Sequence, residues 1–280
     1  MKENKIEEEK KEQKEKEESN KNIIVDNNID SDRKITDDIN KDAPTLLIEE
    51  VECNLLNGQK IKVNAQGMIG GRGNNDGVVI FGAKTNKEQD EKIKSDFILN
   101  CDNKTSYPCV FFIYFEKAQK SYYIKPYTIE SDEKNFFYIK LNHDNNYPLR
   151  QKEIILAGNI IFHISPLEDN KLEIVNLSKK NSEDEQKKIF DPKEIKEISI
   201  GRDKNCTFAF PKDKSFSRCQ TTFLFDEKTN EWTIIDGSKT KSSTNGTWIF
   251  GTHSFEIKDQ LIVEILNSKF SFSVRTQSNQ

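Results

Sequence analysis

The chain has 280 residues, of which 34% are hydrophobic and 32% are charged, and its formal net charge is −4 at pH 7. This length is sufficient for two domains with separate cores, and the acidic balance argues against direct nucleic-acid binding, which needs a basic surface. No apolar run reaches the ~18 residues of a transmembrane helix, and the charged N-terminus lacks the apolar segment of a secretory signal. We therefore expect an intracellular protein that acts neither on nucleic acid nor at a membrane.

The five cysteines are predicted to be free thiols, because a chain without an export signal stays in a reducing compartment. They are Cys53, Cys101, Cys109, Cys206 and Cys219. No two of them form a C-x-x-C pair, and cysteines and histidines do not cluster at the spacing of a zinc site. The sequence thus predicts neither a metal site nor a cofactor.

Residues 1–43 are predicted to be a disordered, charged N-terminal tail. The run KIEEEKKEQKEKEE mixes both signs of charge, and Glu–Lys pairs four residues apart favour transient helix. Because the segment has no apolar face, it has nothing to bury in a core. An interaction arm or a short coiled-coil segment is the alternative interpretation.

From Pro44 onward the sequence is typical of a β protein. Short runs rich in β-branched and aromatic residues alternate with polar clusters, and no stretch of helical length has a 3.6-residue period. The runs are TLLIEEVEC, QKIKVNAQGMI, DFILN, CVFFIYF, KSYYIKPYTI, FFYIKL and EIILAGNIIFHI. The polar insert at residues 83–95 is predicted to be a loop.

A second series of strand-like runs follows and repeats the first. The segment FEKAQKSYYIKP is similar to FDEKTNEWTIID, and MIGGRGN is similar to ISIGRDK. A repeat of about a hundred residues indicates a duplicated domain and not a solenoid unit. We therefore predict an all-β fold, with two β-sandwiches in tandem at residues 44–168 and 169–276.

Three polar clusters separate strand-like runs between Glu197 and Phe250, each where a turn is predicted. They are Gly201-Arg202, Ser217-Arg218 and Ser243-Thr244-Asn245-Gly246-Thr247. Taken singly, each has a structural explanation: a surface arginine, a serine that caps its own turn, and a tight Asn-Gly turn. Together they supply cations, hydroxyls and an amide, which are the groups that bind phosphate oxygens.

The order and spacing of IGRDKN, SFSRCQ and SSTNGTWIF resemble those of the forkhead-associated (FHA) domain, over roughly Leu172 to Val274. The resemblance implies a β-sandwich whose loops at one end bind phosphothreonine peptides. It implies phosphopeptide contacts at Arg202, Ser217, Arg218, Thr244 and Asn245. It implies loop-shaping roles for Gly201, Gln220 and Gly246.

Two features of the second unit depart from the family pattern. The family has histidine where this chain has Gln220, although glutamine also donates and accepts hydrogen bonds and is expected to support the loops. The loop before the Asn-Gly turn is longer and contains Lys239 and Lys241, which we expect to be solvated. Contact with an acidic or phosphorylated ligand is the alternative for these two lysines.

The first unit is similar to a degenerate copy of the second. Arg72 and Asn135 align with Arg202 and Asn245, but Phe136 replaces the turn glycine, and its side chain disfavours positive φ. Ser106 aligns with the second unit's loop serine only after a shift of one residue. We expect this unit to be a scaffold or interaction surface without phosphothreonine binding.

No catalytic set competes with these interpretations. The histidines are scattered, and there is no nucleophile elbow, P-loop or pair of carboxylates in a recognisable motif. We therefore predict a non-enzymatic adaptor that binds a phosphothreonine-containing protein through its second unit. Two alternatives stay open: a structural component of a cytoskeletal or ciliary assembly whose folds pack against other subunits without phosphate, and a subunit that tethers a kinase or ligase.

Overall fold

The computed structural model describes residues 43–52, 56, 58–69, 77–83, 95–99, 111–126, 137–177, 187–265 and 268–276. The predicted tail, except for its last residue, and most of the predicted loop at 83–95 lie outside these ranges. Within them the chain forms 21 β-strands and one short 3₁₀ turn, Glu168–Asn170, and contains no α-helix. The prediction of an all-β fold is confirmed.

Eleven strands form one large sheet. They are β1 (Thr45–Glu52), β2 (Ile61–Asn64), β3 (Gly67–Met68), β8 (Tyr138–Lys140), β10 (Glu153–Ala157), β11 (Ile160–Pro166), β12 (Leu172–Asn176), β13 (Lys187–Phe190), β18 (Thr247–Phe250), β20 (Leu261–Ile265) and β21 (Ser268–Arg275). Their order across the sheet is β13-β12-β11-β10-β18-β8-β20-β21-β1-β2-β3.

The other strands form two sheets of five strands each. One contains β4 (Val78–Ala83), β5 (Phe97–Leu99), β6 (Phe111–Glu116), β7 (Ser121–Pro126) and β19 (Phe255–Ile257). The other contains β9 (Tyr147–Pro148), β14 (Glu197–Gly201), β15 (Phe208–Ala209), β16 (Thr221–Asp226) and β17 (Glu231–Asp236). Their orders, β19-β7-β6-β4-β5 and β9-β17-β16-β14-β15, are equivalent, and each ends in a parallel pair.

The last strands of each half of the chain pair with the other half. Strands β9, β10 and β11 pair with β17, β18 and β12, whereas β19, β20 and β21 pair with β7, β8 and β1. We therefore call the described residues within 142–250 the second sandwich, and those within 43–141 and 251–276 the first sandwich. The boundary predicted between residues 168 and 169 lies in the turn that joins β11 to β12, two paired strands of one sheet.

Side chains from β10 and β11 fill the core of the second sandwich. Ile155, Phe162 and Ile164 are fully buried. The ring of Phe162 on the large sheet lies 6.3 Å from that of Phe208 and 6.1 Å from that of Phe210, which belong to the facing side of the sandwich. Because each buried side chain of this size stabilises a fold by about 1.5–3 kcal/mol, residues 147–166 are an integral part of this sandwich.

Candidate functional site

Gly201, at the end of β14, allows the Gly201-Arg202 loop to pack against the Ser217-Arg218 loop. A Cβ atom at this position would lie 2.2 Å from the carbonyl oxygen of Arg218, so the two backbones approach this closely only because residue 201 is glycine. The next two residues extend the contact: the Arg202 amide donates to the Ser217 carbonyl at 3.0 Å, and the Asp203 amide donates to the Arg218 carbonyl at 3.0 Å. Arg202 is thereby held beside Ser217 and Arg218.

Both arginines of these loops are exposed. Within the part of the chain that the structure describes, no carboxylate forms an ion pair with the guanidinium of Arg202 or Arg218. Two uncompensated guanidiniums on adjacent loops create a positive local potential at this end of the sandwich. A planar guanidinium also matches the geometry of two phosphate oxygens.

The Ser217 hydroxyl connects the second loop to the Asn-Gly turn. Its oxygen accepts a hydrogen bond from the Thr244 amide at 2.8 Å, which leaves the hydroxyl proton for donation to a ligand. The Asn245 side chain is held by a bond from Nδ2 to the Ser215 carbonyl at 2.9 Å. Its second amide hydrogen and its Oδ1 stay available at an exposed position. The structure therefore brings together all five residues for which phosphopeptide contacts were predicted.

The buried side chain of Gln220 connects the Ser217 loop to the Asn-Gly turn. Its side chain is fully buried, and its Oε1 accepts from the Ser217 amide at 3.0 Å. Its Nε2 donates to the Gly246 carbonyl at 2.7 Å and to the Ser243 hydroxyl at 2.9 Å. One amide side chain thus satisfies buried groups of two loops, a geometry consistent with the expected loop support.

Gly246 adopts φ +78°, which L-residues rarely adopt, so the turn depends on glycine here. Its amide donates to the Ser243 hydroxyl at 2.9 Å. That hydroxyl donates in turn to Asp236 Oδ1 at 2.6 Å, and the Ser243 amide donates to Asp236 Oδ2 at 3.0 Å. Sequence reasoning did not single out Asp236, whose only signal is an acidic residue at the end of an apolar strand.

Lysine and cysteine side chains also lie near the loops. Lys239, which was expected to be solvated, is exposed and forms an ion pair with Glu197 at 2.7 Å. Cys206 and Cys219 are free thiols, and burial raises the pKa of both. A raised thiol pKa lowers the thiolate fraction, so neither cysteine is an activated nucleophile. The other three cysteines, and Arg72, Ser106, Asn135 and Phe136 of the first unit, lie outside the described residues.

A buried carboxylate, that of Glu153, lies where the two sandwiches meet, away from the loops. Glu153 on β10 is 1% exposed and accepts a hydrogen bond from the Tyr147 hydroxyl at 3.3 Å. His253 Nε2 lies 3.7 Å from the same carboxylate oxygen. Burial raises the pKa of Glu153 to about 7, although hydrogen bonds from Tyr147 and Gln151 act in the opposite direction. Burial also lowers the pKa of His253.

Glu153 is expected to make the fold less stable as the pH rises. An unperturbed carboxyl has a pKa of 4.5, so between that value and about 7 the folded state binds more protons than the unfolded state. The free energy of unfolding therefore falls through this window, by on the order of 3 kcal/mol from this group. Glu153→Gln should remove that dependence. Urea denaturation of both proteins at pH 5 and pH 8 measures it, and equal slopes against pH would contradict the assignment.

Among the residues with described positions, no cluster of three or more His, Cys, Asp or Glu side chains is arranged to hold a metal ion. The same part of the chain contains no helix with the length and hydropathy needed to cross a membrane.

Comparison with known proteins identifies one domain. The FHA domain family model matches residues 198–268, a segment that includes the Arg202 loop, the Ser217 loop and the Asn-Gly turn. No curated protein and no solved structure matches the chain. The matched segment runs from β14 of the second sandwich to the start of β21 in the first. Its loops carry the arginines, serine and asparagine that the sequence motifs predicted, and the match assigns residues 198–268 to the FHA domain family.

Proposed function

We propose that this chain is an adaptor that binds a phosphothreonine-containing partner at the loop end of its second sandwich. FHA domains are non-catalytic interaction modules that bind phosphothreonine-containing proteins. The observation that carries the proposal for this chain is the convergence of three loops through hydrogen bonds, with two exposed and uncompensated guanidiniums at their surface. Such an end favours a compact dianion over a neutral ligand.

The individual roles follow from the hydrogen-bonding groups. Arg202 and the Ser217 hydroxyl donate to phosphate oxygens, and Arg218 adds positive charge. Thr244 and Asn245 hold the phosphate or the peptide backbone. Hydrogen bonds to a charged group contribute about 1.5–3 kcal/mol each, which is enough for selective binding of the phosphorylated form.

The network around Gln220 supports phosphate binding over the alternative of a packing module with relic loops. Its three side-chain bonds hold the Ser217 loop and the Asn-Gly turn together. The side chains of Arg202, Arg218 and Asn245 nevertheless stay exposed. Loops that are fixed in advance lose less conformational entropy when a ligand binds.

Arg202→Ala is expected to weaken binding of a fluorescent, degenerate phosphothreonine peptide library by about 10- to 100-fold, because it removes a charge-assisted contact. Fluorescence anisotropy measures the affinity for phosphorylated and plain libraries. Arg150→Ala is the matched control, since Arg150 is an exposed arginine of the same sandwich that pairs with Glu231. Equal binding of both libraries by the wild type, or unchanged affinity in Arg202→Ala, would contradict the proposal.

A further inference from the structure

Strand β8 of the first sandwich lies directly against the strand that follows the Asn-Gly turn. In the register of β8 and β18, Lys140 pairs with Trp248. The Leu141 amide also donates to the Thr247 carbonyl at 2.8 Å. The first sandwich therefore reaches the edge of the proposed binding site.

The side chain of Lys140 packs on the turn itself. Its Cε would lie 2.7 Å from a Cβ atom on Gly246, so the aliphatic part of the lysine covers the glycine. Its ammonium lies 6.0 Å from the centre of the Trp248 ring. The Trp248 indole donates to the Asn245 carbonyl at 3.2 Å. Lys140 thus packs on Gly246, the residue next to Asn245, for which a ligand contact is predicted.

Lys140 is half-buried and, among the residues that have been placed, forms no ion pair. A second lysine, Lys269, approaches the same indole at 5.9 Å, but Lys269 also pairs with Glu52 at 2.6 Å. A partly desolvated ammonium without a counter-ion attracts an anion more strongly than a solvated one. Of the two lysines beside Trp248, Lys140 is the one whose ammonium has no carboxylate partner among the described residues.

A cleft of about 530 Å³ lies next to this lysine and is lined by both sandwiches. Its polar lining includes Lys140, Asn142, Ser242, Ser243, Gln260 and Ser271. Its titratable groups include His143, Asp144 and Asp236. Both oxygens of Asp236 are occupied by Ser243, and the Asp144 side chain is 85% exposed. Lys140 is therefore the cation in the cleft that faces the turn.

We propose that the first sandwich completes the ligand site, and that Lys140 binds a second anionic group close to the phosphothreonine. This inference rests on the proposed function. The ligand class is a phosphothreonine peptide whose flank enters the cleft and carries an acidic side chain or a second phosphate. Both groups offer oxygens to the ammonium, and a second phosphate brings the larger charge.

Three degenerate peptide pools test the proposal by anisotropy: phosphothreonine with neutral flanks, with Asp or Glu flanks, and with a second phosphothreonine. The full chain should bind the acidic pool about 3-fold, and the doubly phosphorylated pool about 10-fold, more tightly than the neutral pool. Lys140→Met, which keeps the aliphatic packing, should bind the neutral pool as the wild type does and lose both preferences. Lys269→Met is the control and should keep them.

The outcomes separate the two proposals. If the wild type binds no phosphothreonine pool, the proposed function fails and this inference fails with it. If the neutral pool binds in a phosphate-dependent way but neither acidic flanks nor a second phosphate gives an advantage, only this inference is overturned. The same holds if Lys140→Met keeps the advantage. A preference for the doubly phosphorylated pool alone would identify phosphate as the second anion.

Discussion

A fragment of residues 137–252 is expected to fold and to bind the phosphothreonine library, whereas a fragment of residues 169–276 is expected to be unfolded. The second fragment contains the whole FHA match, but it lacks β9–β11, which pair with β17, β18 and β12. It also lacks Ile155, Phe162 and Ile164, which are fully buried. Their loss removes roughly 5–9 kcal/mol, comparable to the entire stability of a small domain.

In one arrangement β9–β11 complete the sandwich that carries the proposed site, and in the other β19–β21 do so. Thermal denaturation followed by circular dichroism, together with the anisotropy assay, distinguishes the two. A fragment that ends at residue 252 keeps β9–β18, including all the loops of the proposed site. If residues 169–276 unfold cooperatively and bind like the full chain, β19–β21 replace β9–β11 in the isolated half. That result would support the predicted division at residues 168 and 169.

Gln220→Leu is expected to cost about 2–6 kcal/mol of stability and at least tenfold in affinity for the phosphothreonine library. The leucine has a similar volume but leaves the Ser217 amide and the Gly246 carbonyl without their partner. Each unsatisfied buried group costs about 1–3 kcal/mol. The affinity falls as well, because the two loops lose the side chain that holds them in register for the ligand.

The matched control is Thr233→Val, in the same sandwich. Thr233 is also buried, and its hydroxyl makes a single bond of 3.3 Å to the Leu224 carbonyl, between two central strands. This change should cost under about 1.5 kcal/mol and leave the affinity unchanged. Urea denaturation and anisotropy give both quantities. An unchanged affinity in Gln220→Leu would show that the loops do not depend on this residue for binding.

Much of the fold could be predicted because strand patterns are local. The run EIILAGNIIFHI, which is rich in β-branched residues, was predicted to be strand-like, and the structure forms β10 and β11 there with their inward-facing residues buried. The exchange of the last strands could not be predicted in this way. Both halves end in similar runs, so β9–β11 and β19–β21 satisfy the periodicity of either sandwich equally well, and periodicity does not specify which sheet a strand joins.

In the candidate site, too, residues in local motifs could be predicted, whereas residues placed by tertiary contacts could not. Arg202, Ser217 and Asn245 belong to motifs whose order is visible in the sequence, and the structure places them together. Asp236 and Lys140 act through tertiary contacts, with Ser243 and with Gly246 respectively. Lys140 lies more than a hundred positions from the turn that it contacts, and no local spacing connects the two.

The exchange of strands also determines how the molecule responds to a pulling force. Thr45 and Arg275 are directly paired on adjacent antiparallel strands, so tension applied through these two residues opens the β1–β21 ladder from one end, a pair at a time. Each pair resists separately, as in a zipper, and contributes only about 0.5–1.5 kcal/mol per hydrogen bond. Residues 142–250 form a closed section of the chain between the two loaded segments. They experience no tension until the first sandwich has been pulled apart. The loops that carry Arg202 and Asn245 therefore remain folded under a load that already unfolds the first sandwich.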